Sequence, residues 1–526
     1  MENDALIAEL KAENVALRAE NAEMKSKLDW LIEQLSGNRR KLYGVSSEKG
    51  VYDQVGLFEE NAQEVQVIDG QTSDKQSNRP KKRGEMSSRL PADLPIETVE
   101  CVLPEDKQGC PECGGPLHSI GKEVVRRDFR IKPASAVVTE YVRNTYSCRA
   151  CEKSSGDKPV PVIKAELPPQ LIKGSMCAPE TAAHLIVQKC VMGSPLYRQE
   201  QEWKRLGIPI TRQTMANWLI RCSEDYLEPI YDELHRRLCQ HSFLHSDGTS
   251  FQVLREPGKL AQSQSCMWVY RTSGDAKHPI VLYDYQPDKT KERPRDFLQG
   301  FSGYLMTDAY AAYHSLPDDI IVVGCIAHAR RGFVDALKVI KKDEERVGSL
   351  ALIGRQYCDD LFKIERDLEG KSFDERYAIR NEKASPILKE FHAWLLSVQP
   401  RIASQSKAGK AINYTLKQWK YLERYLMDGR IEISNNRCER SIKPFVINRK
   451  NFLFATSVAG ARAAAVLHSM TETAKENNLN PFEYLAYIFR TAAGVDLREN
   501  QDMIIAFLPE NAPSECRVSG AVGVPL

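Results

Sequence analysis

The chain of 526 residues is too long for a single hydrophobic core, so roughly three or four modules are expected. Its 73 Lys and Arg residues nearly balance its 71 Asp and Glu residues, and the net charge therefore gives no nucleic-acid signature. An apolar run of about 18 residues is lacking, as is the apolar core of a signal peptide, which argues against a membrane span and against secretion.

The first predicted element is a coiled coil over residues 1–42. Two series of residues, each with a spacing of seven, form an apolar seam that Asn14 and Asn21 interrupt. Buried Asn residues at such positions fix the register and favour two strands, so we expect self-association here. A single amphipathic helix packed on its own domain is the alternative. The two series are Ile7, Asn14, Asn21, Leu28 and Leu35, and Leu10, Leu17, Met24 and Leu31.

Residues 43–100 lose this order and are predicted to form a linker with a basic segment. An acidic stretch, FEENAQEVQVIDG, comes first, and the basic segment RPKKRG follows near the end. The four cations of that segment could contact phosphates, although a solvated linker accounts for the same charges.

Two cysteine pairs predict a small zinc ribbon in residues 101–158. Cys110 and Cys113 form one C-x-x-C pair, and Cys148 and Cys151 form the other. Each pair can hold one side of a tetrahedral zinc ion, and four thiolates make a closed, structural site. A redox-active C-x-x-C motif is the weaker alternative. The remaining cysteines are scattered, which favours a reducing cytoplasm over a disulfide framework.

Residues 159–240 are predicted to be a helical, helix-turn-helix-like DNA-binding region. One helix is expected to end near Gly207, and Thr211 is expected to cap the next. Arg212 and Gln213 would then lie on the exposed face of the second helix, where they could reach bases or phosphates. Many helix pairs of this kind never contact DNA, so a purely structural pair is an equal alternative.

The composition changes again at residue 241, and residues 241–335 are predicted to form a ribonuclease H-like α/β core. Three strand-like runs are followed by a helix, a fourth run and a fifth run. In a sheet of that kind the first and fourth strands lie side by side. The predicted strands are Phe243–Val253, Cys266–Arg271, Pro279–Tyr285, Gly303–Thr307 and Ile320–Ile326, and the predicted helix is Lys289–Gln299.

Three carboxylates are candidates for a common site. Asp247 and Asp308 each end an apolar run, and neighbouring strands would place them together. Glu439 opens a helix-like stretch, Asn435–Lys450, that has a local net charge of +4. For Glu439 to join them, residues 336–430 must form an all-helical insertion and residues 431–490 must complete the core. Residues 491–526 are a tail without readable chemistry.

Each carboxylate also has a simpler explanation. Asp247 could form a turn with Gly248, and Asp308 could cap a helix. Glu439 could pair with a neighbouring cation on a solvated helix. The three together, in this order and with these surroundings, are harder to obtain by accident.

Several stretches carry a resemblance to a known family. They are KLYGVSSEK, the two C-x-x-C pairs, SPLYRQEQEWKRLGIPITRQTMANW, TDAYAAY, CIAHARRGF, ISNNRCERSIKPFVINRKNFLFATSVAGA and NNLNPFEYL. Over nearly its whole length the chain resembles the TnpC-type DDE transposases, the insertion-sequence group numbered sixty-six. The resemblance implies that Asp247, Asp308 and Glu439 are the catalytic triad and that each binds or bridges magnesium or manganese. One departure is Gly248, since the family usually has Glu after the first Asp.

Basic and polar residues around the triad are the candidate DNA contacts. The resemblance suggests that the HARRGF stretch borders the active site, where His328, Arg330 and Arg331 could hold a phosphate. The alternative is that the two arginines pair with acids of the insertion. A second group would either orient Glu439 or hold the DNA backbone, and it comprises Asn435, Asn436, Arg440, Lys443, Arg449 and Lys450.

The sequence therefore predicts a multidomain α+β DNA transposase of the bacterial cytoplasm and nucleoid. It would bind the terminal inverted repeats of an insertion sequence, cleave strands with magnesium and join the 3′ hydroxyl to target DNA. Its expected partners are double-stranded DNA, a second copy of the chain and accessory proteins encoded by the same element, with no membrane. A non-catalytic zinc-ribbon regulator, a nuclease without strand transfer and a decayed transposase are the alternatives.

Overall fold

The computed structural model describes residues 136–147, 162–308, 310–340 and 346–518. The predicted coiled coil, the linker and the four paired cysteines lie outside these residues. From Thr145 to Val518 the described residues belong to one compact unit, and none of their helices is long and apolar enough to cross a membrane.

The centre of this unit is a mixed β-sheet. Its strands are Phe243–Arg255 (β3), Gln264–Thr272 (β4), Val281–Gln286 (β5), Gly303–Thr307 (β6), Ile320–Gly324 (β7) and Ala455–Ser457 (β8), and a separate antiparallel pair is formed by Thr145–Ser147 (β1) and Val162–Lys164 (β2). The order is β5–β4–β3–β6–β7, and β8 pairs with the last residues of β3. The strands β3, β4 and β5 are antiparallel to one another, whereas β6 and β7 run parallel to β3.

Local chemistry explains both kinds of connection. The β3–β4 hairpin turns at Pro257 and Gly258, where Pro fixes the first φ and Gly adopts a φ of +74°. A parallel partner cannot be reached by a tight turn, so a helical crossover precedes β6. As predicted, the first and fourth strands of the sheet, β3 and β6, are neighbours.

Helices cover both faces of the sheet. In chain order they are Pro179–Cys190 (α1), Leu196–Arg205 (α2), Arg212–Cys222 (α3), Glu228–Leu238 (α4), Glu292–Phe297 (α5), Ile326–Leu337 (α6), Leu350–Asp367 (α7), Phe373–Ile379 (α8), Ser385–Val398 (α9), Lys407–Leu422 (α10), Asn436–Phe452 (α11), Val458–Glu476 (α12), Pro481–Ala492 (α13) and Gln501–Ala506 (α14). The described part of the predicted insertion is helical, as expected.

Strand β4 shows how the two faces are divided. Trp268 and Tyr270 pack into a cluster with α1, α3, α4, α12 and α13, whereas Met267 and Val269 pack against α11 and α12. Successive side chains of a strand point to opposite faces, so a strand covered on both sides is apolar without a break. A third cluster joins the ends of β3, β6 and β7 to α6, α7, α9 and α10.

The predicted helix pair is present at α2 and α3. Helix α2 ends at Arg205, Gly207 has a φ of +79°, and the Thr211 hydroxyl accepts a hydrogen bond from the backbone N–H of Thr214. These are the cap and turn that the residue types predict. On the inner face of the second helix, the side chains of Met215, Trp218 and Leu219 are buried.

Most element boundaries lie within about three residues of the sequence prediction, and three of the differences matter for the site or for the cysteine region. The first strand continues to Arg255, two residues beyond its predicted end, and it stays paired with β4 across Asp247 and Gly248, which excludes the alternative of a turn there. The fifth strand stops at Gly324, and Ile326 already belongs to α6. Residues 136–144 carry no regular structure, so the strand predicted between the cysteine pairs is limited, in the described part, to β1.

Candidate active site

Asp247 lies in the interior of β3, on the face that α11 covers. Its neighbours on that face, Phe251 and Val253, pack with α11, and side chains two residues apart share a face. The Asp247 carboxylate accepts a hydrogen bond from the backbone N–H of Gly248 at 2.7 Å. Burial raises the pKa of Asp247 to about 7, and the carboxylates of Asp308 and Glu439 act in the same direction.

Asp308 follows β6 at the point where that strand leaves the sheet. Because β6 is parallel to β3 and pairs Met306 with His245, the register continued by two residues sets Asp308 beside Asp247. The Asp308 carboxylate accepts a hydrogen bond from the backbone N–H of Tyr310 at 3.1 Å, which turns the chain away from the strand. Parallel pairing therefore brings the two predicted aspartates together.

Glu439 lies in the first turn of α11, where the helix dipole favours a carboxylate. Arg331 of α6 donates to both of its carboxylate oxygens, at 3.2 and 3.0 Å. The Nε2 atom of His328, also on α6, lies 3.5 Å from the same carboxylate. Burial and the nearby Arg331 charge lower the pKa of His328, so that its ring is neutral near pH 7.

The three carboxylates converge without forming a metal cage in this arrangement. No group of three or more His, Cys, Asp or Glu side chains among the described residues is placed to hold a metal ion. The donor set nevertheless suits a hard divalent cation, because it consists of carboxylate oxygens. The raised pKa of Asp247 agrees with this, since a cation would offset the burial of its carboxylate and the repulsion from Asp308 and Glu439. In this arrangement Arg331 donates to both carboxylate oxygens of Glu439, which are the atoms that would bind a cation.

A buried polar pair fixes the start of α11 against β3. The Nδ1 atom of His245 lies 2.9 Å from Oδ1 of Asn435, and the Asn435 side chain donates to the carbonyl of Ser246 at 2.9 Å. The backbone N–H of Asn435 donates to the sulfur of Cys325 at 3.1 Å. Asn435 has no exposed surface, so of the two roles the sequence left open for it, orientation of Glu439 fits and contact with DNA does not.

Arg271 of β4 holds α11 from within the protein. Its guanidinium donates to the hydroxyl of Ser441 at 2.6 Å and to both carboxylate oxygens of Glu476 at 3.0 and 2.8 Å. These partners belong to α11 and α12. A buried cation in the central sheet thus ties together the two helices that follow the insertion.

The other predicted DNA contacts near the triad fall into two classes. Arg330 pairs with Asp359 of α7, which is the alternative that the sequence left open for it. Arg449 donates to the hydroxyl of Thr249, two residues after Asp247, at 3.1 Å. The remaining members are exposed on α11, and they are Asn436, Arg440, Lys443 and Lys450.

Arg212 and Gln213 begin α3 and are not brought to the carboxylates. The Arg212 guanidinium lies 5.6 Å from the ring centre of Tyr197, and the Gln213 side chain donates to Asn217 at 3.2 Å. Both contacts remain within the helical region. The structure places the two residues at the start of the second helix, as predicted.

Gly248 stands where the resemblance implies a glutamate. A Cβ atom at this position would lie 3.1 Å from Cε3 of Trp268 and 3.4 Å from the sulfur of Cys266. Both neighbours belong to the face of the sheet opposite Asp247. A side chain at residue 248 therefore needs a small shift of Trp268 and points away from the Asp247 carboxylate.

Sequence reasoning missed His245, Arg271 and Glu432. The Glu432 carboxylate lies 3.8 Å from His245 Nε2 and accepts a hydrogen bond from Arg437 at 2.7 Å. One signal was available, because His245 and Asp247 are two residues apart on a predicted strand and must therefore share a face. Arg271 gave no such signal, since its partners lie far along the chain.

A second aspartate with a raised pKa lies elsewhere in the sheet. Burial raises the pKa of Asp284 to about 7. The adjacent Tyr283 directs its hydroxyl to the backbone of Ser441 in α11, so Asp284 faces the opposite side of β5. There it lines a cavity with Tyr231 and Asp232 of α4. Asp284 therefore matches Asp247 in burial and charge without sharing its neighbours.

We expect Asp247→Asn to stabilise the metal-free protein at pH 8 but not at pH 4. An acid whose pKa in the folded state lies above its unfolded value of about 3.9 destabilises the fold once it is ionised. The loss of unfolding free energy therefore grows as pH rises from about 4 to 7. The upper bound is roughly 4 kcal/mol, reduced by solvent screening. Urea unfolding with a chelator measures the effect. Mg²⁺ should stabilise the wild type and Asp284→Asn but not Asp247→Asn. An Asp247→Asn variant that gains stability equally at both pH values would contradict the assignment.

Comparisons with known proteins agree along most of the chain. The family model described as Transposase IS66 family matches residues 174–463. The model described as zinc-finger binding domain of transposase IS66 matches residues 107–152, a range that includes all four paired cysteines. A third, described as Transposase C of IS166 homeodomain, matches residues 30–99, across the end of the predicted coiled coil and the predicted linker.

Similar proteins occur in Sinorhizobium fredii (strain NBRC 101917 / NGR234). Uncharacterized protein y4jD is 32% identical over 427 residues, which are 78% of this chain and 80% of y4jD. Uncharacterized protein y4qI is 29% identical over 532 residues, or 97% and 94% of the two chains. Among solved structures, the Drosophila P element transposase strand transfer complex matches 68% of this chain and 96% of its own, with 13% identity and a TM-score of 0.32.

Proposed function

This chain belongs to the IS66 transposase family, and we propose from that membership that it cuts and joins DNA with Asp247, Asp308 and Glu439 as its catalytic carboxylates. One observation carries the residue assignment. The parallel register of β3 and β6 sets Asp308 beside Asp247, and the charges of Asp308 and Glu439 both raise the pKa of Asp247, although 61 residues separate Asp247 from Asp308 and 131 separate Asp308 from Glu439.

The strand order supports a ribonuclease H-like core. Three antiparallel strands, followed by two strands parallel to the first, place the first residues of β3 beside β6. In this proposal residues 241–335 and 431–490 make up the core, and residues 336–430 are the helical insertion. Helix α6, which precedes the insertion, meets α11, which follows it, at Glu439, because Arg331 and His328 of α6 both contact that carboxylate.

The carboxylates of Asp247, Asp308 and Glu439 would hold Mg²⁺ or Mn²⁺. Such ions, when bound, activate water or a 3′ hydroxyl for attack on a phosphodiester and stabilise the leaving oxygen. Asn435 and His245 keep the first turn of α11 against β3, so Glu439 stays close to the two aspartates. Arg331 must release Glu439 before this carboxylate can serve as a ligand, and its half-exposed guanidinium is then free for a DNA phosphate.

The segments before residue 162 would help to bring two DNA ends together. The zinc-finger region supports a structural zinc ion at Cys110, Cys113, Cys148 and Cys151. With the helix pair at α2 and α3 it would recognise the terminal inverted repeats, and residues 1–42 would pair two subunits. Accessory proteins from the same element complete the proposed set of partners.

Incubation of the full chain with Mg²⁺ and the terminal repeats of its own element tests the proposal. The expected products are nicks at the element ends and covalent joining of those ends to a target plasmid. Cutting of DNA without joining and without preference for the repeats would identify a nuclease instead. Binding of the repeats without cutting, even with accessory proteins supplied, would identify a regulator or a decayed copy, and Gly248→Glu would separate these two.

A further inference from the structure

The turn after α11 has a backbone that leucine rarely adopts. Leu453 has a φ of 61° and a ψ of −50°, and the N–H of Phe454 donates to the carbonyl of Phe452 at 2.7 Å. This is the γ-turn with positive φ, which is rare and strained. Asn478 is the other non-glycine residue with positive φ in the described part, and Asn tolerates that region far better than Leu does.

Burial of the Leu453 and Phe454 side chains does not explain the strained backbone of this turn. The side chain of Leu453 is 63% exposed, and that of the following Phe454 is 40% exposed. The turn is fixed from both ends, because Phe452 packs edge-on against Phe251 and Ala455 pairs with Val253 in the sheet. The strained backbone therefore keeps two large apolar side chains exposed to solvent. Strain of this kind is typical of functional positions.

A basic stripe on α11 leads from Glu439 to this turn. Arg440, Lys443, Ile447 and Lys450 follow one another at helical spacing, and each is exposed. Glu439 is the single acid in the helix, so α11 carries a local excess of positive charge. From Glu439 to Leu453 the helix rises about 21 Å, which corresponds to about six nucleotides of a stacked DNA strand.

We propose that Leu453 and Phe454 form a stacking platform for one unpaired base of a DNA strand. The same strand would follow the basic stripe of α11 to the three carboxylates. The inference rests on the proposed function and adds a site that reads an unstacked nucleotide. Apolar and aromatic side chains stack on bases of any sequence, and neighbouring cations hold the backbone. A second copy of this chain is the less fitting occupant, because a stripe of three cations on its own symmetry mate would repel.

The test compares two labelled probes that bind the full chain in Mg²⁺-free buffer. One is a blunt DNA duplex, and the other is the same duplex with a 3′ tail of about six nucleotides that contains 2-aminopurine. The wild type should bind the tailed probe more tightly and quench its 2-aminopurine fluorescence. Phe454→Ala should weaken tailed-probe binding about tenfold, abolish the quenching and leave blunt-duplex binding unchanged.

The variant Leu453→Gly separates the effect of backbone strain at residue 453 from the effect of the leucine side chain on DNA binding. Gly adopts the positive φ without a steric penalty, so this variant should melt at a higher temperature and still lose affinity for the tailed probe. Leu396→Ala, which truncates an exposed leucine on α9, is the matched control and should change neither affinity.

Three results would overturn the inference. Equal affinity of the wild type for both probes would show that no unpaired base is read. Unchanged quenching in Phe454→Ala would place the base elsewhere, and a monomer formed by Phe454→Ala with normal tailed-probe affinity would make the turn a contact between copies. Failure to bind either probe would instead reject DNA binding itself, and with it the proposed function.

Discussion

Asp247→Asn, Asp308→Asn and Glu439→Gln should each reduce strand cleavage by about a thousandfold or more while DNA affinity stays within about threefold. Each amide keeps the size of the side chain but loses the charge that holds a divalent cation. The measurement is single-turnover cleavage of end-labelled terminal-repeat DNA in Mg²⁺, with gel-shift affinity recorded in parallel.

Asp284→Asn provides the matched control for this experiment. Asp284 lies on β5, which β4 separates from β3 in the same sheet, and burial raises its pKa to about 7 as it does that of Asp247. Because it faces α4 on the opposite side, its loss should leave the cleavage rate unchanged. If Asp284→Asn were as slow as Asp247→Asn, the effect would come from disturbance of the sheet. If all three triad variants cut normally, the active site would lie elsewhere.

The sequence predicted those parts of the fold that depend on local patterns. Apolar runs of strand length gave the sheet, and the parallel neighbours β3 and β6 followed from the intervening helix. Thr211 and Gly207 predicted the turn between α2 and α3, because capping and positive φ depend on residue type at fixed offsets. Asp-Gly is also a local turn signal, but β3 continues through it, as the predicted strand Phe243–Val253 did.

The parts of the site that could not be predicted depend on contacts between distant segments. Arg331 and Glu439 are 108 positions apart, and His245 and Asn435 are 190 apart. No periodicity or cap links such pairs, so the sequence left Asn435 and Arg331 with two roles each. Asn435 has no exposed surface, which favours its role in orienting Glu439, and the partner of Arg331 is Glu439 rather than an acid of the insertion.

Arg271→Leu should lower the free energy of unfolding by about 3 kcal/mol, because it leaves the buried Ser441 hydroxyl and the Glu476 carboxylate without their cation. Urea unfolding at pH 7 measures this loss. Arg205→Leu removes an exposed partner of Glu202 and should cost less than about 1 kcal/mol, which makes it the control.

The pH dependence distinguishes a lost ion pair from lost packing. Burial alone would raise the pKa of Glu476, but hydrogen bonds and charge from Arg271 outweigh it and lower that pKa. A lowered pKa in an acid contributes stability above its unfolded value, near 4.3, and that contribution disappears as pH falls further. The deficit of Arg271→Leu should therefore shrink between pH 7 and pH 3. A deficit that is the same at both pH values would show that α11 is held by its aromatic contacts, Phe445 against Phe251, and that Arg271 acts by filling space.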